Sequence, residues 1–292
     1  MGTPKAALEW HGSTLLRRTV GIVARATGGP VAVVRAKGQE LPGLPETVSV
    51  VDDPREGKGP VQGIAAGLAA LDGRVDTAFV TSTDLPFLHP AFIMRVLAAL
   101  AAPDGPDIAL PVARGYQQPL AAAYRTRLAA LAGRLVREDR LRPAFLFAEC
   151  DVVRLADGAL LADPVLAALD PDLDSVLNVN TPADYQAARR RPAPEVTVRL
   201  SGALLAPGAP RGTSQSPGPL SAGTARIRAA TVRAAADAVG LSSDWPAAAV
   251  INDDCITRDP EAPLVAGDVI RLVPAGAVGV VAGDNQRGGR LV

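Results

Sequence analysis

Aromatic side chains make up only 3% of this chain, and cysteine, histidine and methionine occur twice each. The two cysteines, Cys150 and Cys255, lie far apart and show no metal-ligand spacing, which excludes a zinc ribbon or a disulfide framework. They read as buried reduced thiols, with a disulfide or a nucleophile as the alternatives. His11 and His89 have no partner in the pattern, so no Ser/His/Asp or Cys/His set is legible. Net charge is lacking too: thirty basic residues balance thirty acidic ones. That removes the electrostatic footprint of a nucleic-acid or anionic-membrane binder, and any anion must be held locally. No apolar run reaches membrane-span length, and the start, MGTPKAALEW, lacks the basic-then-apolar layout of a secretion signal. A cytoplasmic protein without nucleic-acid or membrane partners is expected.

What is present is a globular composition, 48% hydrophobic and 21% charged, in 292 residues, enough for one large domain or two ordinary ones. The chain is organised around Val75–Pro90, VDTAFVTSTDLPFLHP. Its apolar run Ala78-Phe79-Val80, bounded by polar residues and proline, predicts a central parallel strand covered by helices on both faces. Asp84 then stands at the carboxyl end of that strand, where open α/β sheets bind ligands. A carboxylate there suits Mg²⁺, which takes one or two carboxylates plus substrate phosphates. Capping of the following turn is the other reading of Asp84, and on this stretch alone both stand.

Elsewhere, Lys5 follows the break at Thr3-Pro4, where a lysine either reaches a phosphate or is plain solvated surface. Ser13 or Thr14 caps a helix carrying Leu15, Leu16, Val20, Ile22 and Val23. PVAVVR at 30–35 and Val48–Val51 are strand-like. After Asp52-Asp53-Pro54 comes a glycine-rich bend and a small-residue helix from about Val61 to Leu71. Gly57, Gly59 and Gly63 let backbone approach a ligand, and the helix start offers N–H groups to an anion. Further strands at Asp107–Val112, Leu120–Tyr124 and Val152–Leu155 alternate with helices, and Thr181 caps a closing helix at about Pro182–Arg190. This alternation predicts a Rossmann-like, doubly wound, mostly parallel sheet over residues 1–191. Beyond an Arg/Pro linker, residues 195–292 read as a small α+β domain with a Pro/Gly/Ser-rich, flexible insertion at 206–223.

Four blocks carry a family resemblance: Met1-Gly-Thr-Pro-Lys5 with Leu8 and Gly12; Gly59-Pro60-Val61-Gln62-Gly63-Ile64; Thr83-Asp84-Leu85-Pro86-Phe87; and Asn178-Val179-Asn180-Thr181-Pro182. In order and spacing, residues 1–191 resemble the molybdenum cofactor guanylyltransferases of the nucleotidyltransferase superfamily. The resemblance implies transfer of GMP from Mg²⁺-GTP to the terminal phosphate of molybdopterin or its molybdenum-loaded form, with release of pyrophosphate. It implies that Lys5 contacts the nucleotide phosphates, Asp53 binds nucleotide together with Gly59 and Gly63, Asp84 ligates Mg²⁺, and Asn178 and Asn180 line the pterin side. Lys5 and Asp84 are thus the expected catalytic pair. Other molybdenum cofactor biosynthesis proteins or molybdoenzymes are the implied partners.

One departure matters. Family members begin with an apolar strand and a glycine-rich loop before the Met-Gly matched here by Met1-Gly2, and that strand lies inside the sheet. Its absence would strip a shared ladder partner from Val31–Arg35 and Ala78–Thr81. The expectation is that Met1 is internal to a longer natural protein, and that a chain starting here binds nucleotide weakly and turns over negligibly. The second domain resembles the β-grasp sulfur carriers of the molybdopterin-synthase small subunit and thiamine type. The match rests on Val196–Leu200, the Thr231 helix, Ala249–Asn252 and Leu264–Ile270. Gly288-Gly289 is followed by Arg290-Leu291-Val292, so no terminal glycine carboxylate is free, and docking is expected rather than sulfur carriage. The alternatives are a non-catalytic pterin-binding or sulfur-transfer scaffold and a cytidylyltransferase acting on the same acceptor.

Overall fold

The computed structural model describes residues 4–53, 59–200, 223–241, 247–274 and 290–291. Met1-Gly2, Gly57, Gly288-Gly289 and the expected flexible insertion, apart from Gly223, lie outside the described residues. Two compact units emerge, one from Lys5–Ala7 and Ile22–Asn180, the other from Leu8–Gly21 together with the described part of Thr181–Val292.

The first unit is mixed α/β. Its core forms where the apolar side of the helix Pro60–Leu71 (Val61, Ile64, Leu68, Leu71) meets Ala132, Leu135 and Val136 of the helix Ala129–Arg137. Ala78, Ile108, Leu110, Ala122 and Tyr124 of the sheet close the same core. Tyr124 is fully buried and its hydroxyl donates to the Pro119 carbonyl at 2.8 Å, while burial pushes the phenol far above its usual range and keeps it neutral. Tyr124→Phe deletes one hydrogen bond at nearly constant volume, so urea unfolding is expected to register a loss of about 1 kcal/mol.

The expected strands form, but not as a mostly parallel sheet. Thr77–Thr81 pairs antiparallel with Ala121–Arg125, which pairs antiparallel with Ile108–Ala113. Only Val152–Ala156 joins that five-stranded sheet in parallel, beside Ile108–Ala113. Val31–Ala36 and Val48–Asp53 make a separate parallel pair. The strand carrying the Asp84 turn is therefore not a central parallel strand: among the described residues it pairs along one edge only, and so does Val31–Ala36. The Ala121–Arg125 strand is buried throughout, a run that apolar patterning cannot distinguish from a parallel strand.

His89 caps the helix Pro90–Ala98. Its Nδ1 accepts from the Ala91 N–H at 3.1 Å, with Pro90 at the first helical position. This accounts for a histidine without a chemical partner in the sequence.

The second unit holds a six-stranded sheet. Glu195–Leu200 pairs antiparallel with Thr224–Arg228 and parallel with Val269–Pro274, which in turn pairs antiparallel with Ala247–Ile251. The helix Val232–Ala238, capped by Thr231, packs Ala235 against Val196, Val198, Ile270 and Leu272. Cys255–Thr257, a strand not expected from the sequence, extends the sheet and buries Cys255. A second unexpected element is the hairpin Glu9–Trp10/Ser13–Thr14, turned at His11 (φ 46°) and Gly12 (φ 94°). From this hairpin the helix Leu15–Thr27 starts with Thr14 as the hydroxyl acceptor for the Arg17 N–H. Arg17 pairs with Asp259 (2.6 Å) and Glu261 (3.1 Å), and buried Arg18 donates to the Leu264 carbonyl at 3.1 Å. A Cβ on Gly21 would lie 2.5 Å from the Pro263 ring, so only glycine lets that helix approach so closely.

Candidate functional site

Beyond the carboxyl end of Thr77–Thr81 the chain turns through Ser82–Leu88. Leu85 and Leu88 are buried and anchor the turn, and the Leu88 N–H closes onto the Leu85 carbonyl at 3.2 Å. The Ser82 hydroxyl donates to Asp84 Oδ1 and fixes the carboxylate rotamer. Val179 secures the loop from the opposite side: its N–H donates to the Asp84 carbonyl at 2.9 Å and its side chain is buried. Asn178 and Asn180, flanking Val179, are exposed. That segment is itself held from behind, because the buried Asp170 carboxylate accepts from the N–H groups of Asp174 (2.7 Å) and Ser175 (3.0 Å).

Lys5 opens a short 3₁₀ turn, Lys5–Ala7, anchored by buried Ala6. Its ammonium donates to Asn180 Oδ1 at 3.2 Å and lies 3.7 Å from Asp84 Oδ2. The Lys5 side chain is 37% exposed and that of Asp84 19%, so the pair contributes at most ~1 kcal/mol to stability. Both groups therefore remain able to exchange one another for a ligand. Three of the expected site residues, Lys5, Asp84 and Asn180, thus meet in one place, brought there by segments distant in sequence.

Asp53 ends the strand Val48–Asp53 opposite Ala36, in the separate two-stranded sheet, where its neighbour Asp52 pairs with Arg35 at 2.7 Å. Gly59 is the N-cap of the helix Pro60–Leu71 with φ 73° and ψ −174°, a conformation natural only to glycine. Gly63 lies in the first turn with no heavy atom within 4 Å of where a Cβ would stand, so the fold itself does not demand glycine there. The start of this helix leaves backbone N–H groups without intrahelical acceptors, the kind of group that anions meet at helix N-termini. Two contributors were not anticipated, Ser82 and Asp170. The only signal for Ser82 was its place two residues before Asp84, within reach of a short-range side-chain contact.

Among the described residues no three His, Cys, Asp or Glu side chains gather as a metal cage, and no helix is long and apolar enough to cross a membrane. Burial, aided by the charges of Asp107 and Glu149, pushes the Cys150 thiol up to about 11, and Cys255 is buried. The Cys150 thiolate is scarce at neutral pH. Maleimide labelling at pH 8 is expected to be at least ~10-fold slower than for a free thiol of ordinary acidity.

A family model, the MobA-like NTP transferase domain, matches residues 1–153. The chain belongs to this family. A probable molybdenum cofactor guanylyltransferase from Mycobacterium bovis (strain BCG / Pasteur 1173P2) is 37% identical over 158 residues, 53% of this chain and 76% of that protein. A protein of the same description from Bacillus mycoides (strain KBAB4) is 26% identical over 191 residues, 65% of this chain and 89% of its own. Among solved structures, molybdopterin-guanine dinucleotide biosynthesis protein A from Archaeoglobus fulgidus aligns over 64% of this chain and 90% of its own, with a TM-score of 0.48 and 21% identity. As a MobA-like NTP transferase, the chain is a nucleotidyltransferase. The blocks around Lys5, Gly59–Gly63 and Asp84 all fall within the matched residues 1–153.

Proposed function

We propose that the enzyme transfers GMP from GTP to the terminal phosphate of molybdopterin, or of its molybdenum-loaded form, releasing pyrophosphate. The observation that carries this reading is the meeting of the Lys5 ammonium, the Asp84 carboxylate and the Asn180 amide beyond a strand's carboxyl end. The relatives described as guanylyltransferases supply the nucleotide and the acceptor class.

An oxygen of the acceptor phosphate attacks the α-phosphorus of GTP, the bond from that phosphorus to the bridging oxygen breaks, and pyrophosphate leaves with the electron pair. The attacking oxygen is already anionic, so the protein need not remove a proton. It positions the reactants and offsets developing charge. Lys5 leaves Asp84 and Asn180 for the phosphates and stabilises the departing pyrophosphate. Asp84 with the Ser82 hydroxyl beside it, and Asn180 Oδ1 linked to Asp84 through the Lys5 ammonium, offer hard oxygens that fit Mg²⁺ once Lys5 has moved to the phosphates. A Mg²⁺ held there would supply charge neutralisation at the phosphates. Asp84 would hold it. Asp53, Gly59 and Gly63 serve nucleotide binding in this reading, and Asn178 and Asn180 face the pterin.

For residues 195–292 we infer a β-grasp domain that docks other proteins of molybdenum cofactor biosynthesis or molybdoenzymes. The support is the parallel pairing of its first and late strands, Glu195–Leu200 with Val269–Pro274, beside one helix. The test of the central reaction, run on the protein as made from its natural locus, is pyrophosphate release from GTP and from CTP, with and without molybdopterin and Mg²⁺. Release that requires GTP, acceptor and metal together is expected. Preference for CTP would make the enzyme a cytidylyltransferase, and absence of release with either nucleotide would overturn the reading.

A further inference from the structure

The two segments that supply Lys5 and Asn180 run on, a few residues later, into the hairpin Glu9–Trp10/Ser13–Thr14 and the helix Pro182–Arg189. There they are tied together a second time. The Arg189 guanidinium pairs with Glu9 Oε2 and donates from Nη1 to His11 Nδ1 at 2.9 Å. The Tyr185 hydroxyl donates to the Glu9 carbonyl, and Glu9 Oε1 in turn accepts from the Gly12 N–H at 2.7 Å. Buried Trp10 stands edge-on to the His11 ring at 5.3 Å and tilted against Tyr185 at 6.3 Å.

We propose that Arg189, by bridging Glu9 and His11, is a positioning residue that locks the segment following Lys5, and that neutral His11 is the latch. This rests on the reading of Lys5 as a phosphate contact. The chemistry of the latch follows from donor counting. Arginine has donors only, so the Nδ1 facing it must carry a lone pair, and the neutral ring bears its proton on Nε2. Protonating Nδ1 sets two cations against each other and removes the acceptor. The charged groups facing His11 are Arg189 from the closing helix, Glu9 from its own hairpin and Arg18 from the helix Leu15–Thr27. Burial first, then Arg189 and Arg18, push the imidazole below its ordinary 6.5, with Glu9 partly opposing. A His held below its unfolded value takes up its proton in the folded state only below about 6.5. The latch therefore stabilises above that pH and is lost as pH falls through the lowered value.

The experiment uses the full chain with Trp245→Phe, which leaves Trp10 as the one tryptophan. Trp10 emission is followed from pH 8 to 5, and the KM for GTP is measured at the two ends. The parent is expected to show an acid transition with a midpoint below 6.5, together with a several-fold rise in KM. His11→Asn keeps a turn-compatible residue and an uncharged acceptor, so both changes should flatten. Arg189→Gln should raise the midpoint and Glu9→Gln lower it, by up to about one pH unit each. Persistence of the parent transition in His11→Asn, or shifts of the same sign in the two charge variants, would overturn the lock. If no nucleotide transfer is found at any pH, the functional reading fails while the fluorescence titration still decides the latch. A normal titration with a pH-independent KM ratio between parent and His11→Asn would refute the link to Lys5.

Discussion

Asp84→Asn is expected to lower GTP-dependent pyrophosphate release by at least about a hundredfold while leaving the fold intact. Asparagine matches aspartate in shape and keeps an oxygen to accept from the Ser82 hydroxyl, so the turn has no reason to rearrange. What disappears is the negative charge facing Lys5 at 3.7 Å. The exposure of the pair limits the stability loss to ~1 kcal/mol or less, a shift of a few degrees in thermal midpoint at most. Rate and stability should therefore separate cleanly. Near-normal turnover in the variant, or a large fall in midpoint, would remove Asp84 from the metal role.

Removing residues 195–292 should have an equally large effect, on folding rather than chemistry. Leu8–Gly21 groups with the residues after Asn180 and not with the sheet that follows it in sequence. Deletion would take Asp259 and Glu261 from Arg17, the Leu264 carbonyl from buried Arg18, and Pro263 from the face of Gly21. Loss of the buried hydrogen bond from Arg18 to Leu264 costs about 1–3 kcal/mol, and lost apolar packing adds to it. Against a total stability of about 5–15 kcal/mol, the shortened chain is expected to give poor soluble yield and an unfolding midpoint well below the parent's. An unchanged urea midpoint would mean that the N-terminal helix holds without these partners.

The segments were largely legible and their pairing was not. β-Branched and apolar runs bounded by polar residues and proline placed the strands Val31–Ala36, Val48–Asp53 and Thr77–Thr81 within a residue or two, because such composition is a local property. Whether Ala121–Arg125 runs parallel or antiparallel to its neighbours depends on pairing with residues outside its own stretch, such as Thr77 with Arg125 and Ile108 with Tyr124. Three consecutive alanines carry no trace of that choice. The hairpin at Glu9–Thr14 escaped because its strands have two residues each and its turn uses His-Gly, where an Asn-Gly pair would have announced it. Lys5 and Asp84 were readable as a pair only through a family pattern. By itself each is a common residue in a common turn, and the 3.2 Å bond from Lys5 to Asn180 spans 175 positions.

Asn180 directly precedes a capping box in which Thr181 accepts from the Asp184 N–H at 3.1 Å and Asp184 returns the bond to the Thr181 N–H at 2.9 Å. Pro182 adds a fixed φ at the first helical position. The backbone that follows Asn180 is therefore already hydrogen-bonded before any ligand arrives. Its conformational entropy is given up once, during folding, and is not charged again at each encounter. In the proposed pterin-facing role, a side chain presented in this way would discriminate between ligands by fit, because a poorly matched one could not recruit it by bending the loop.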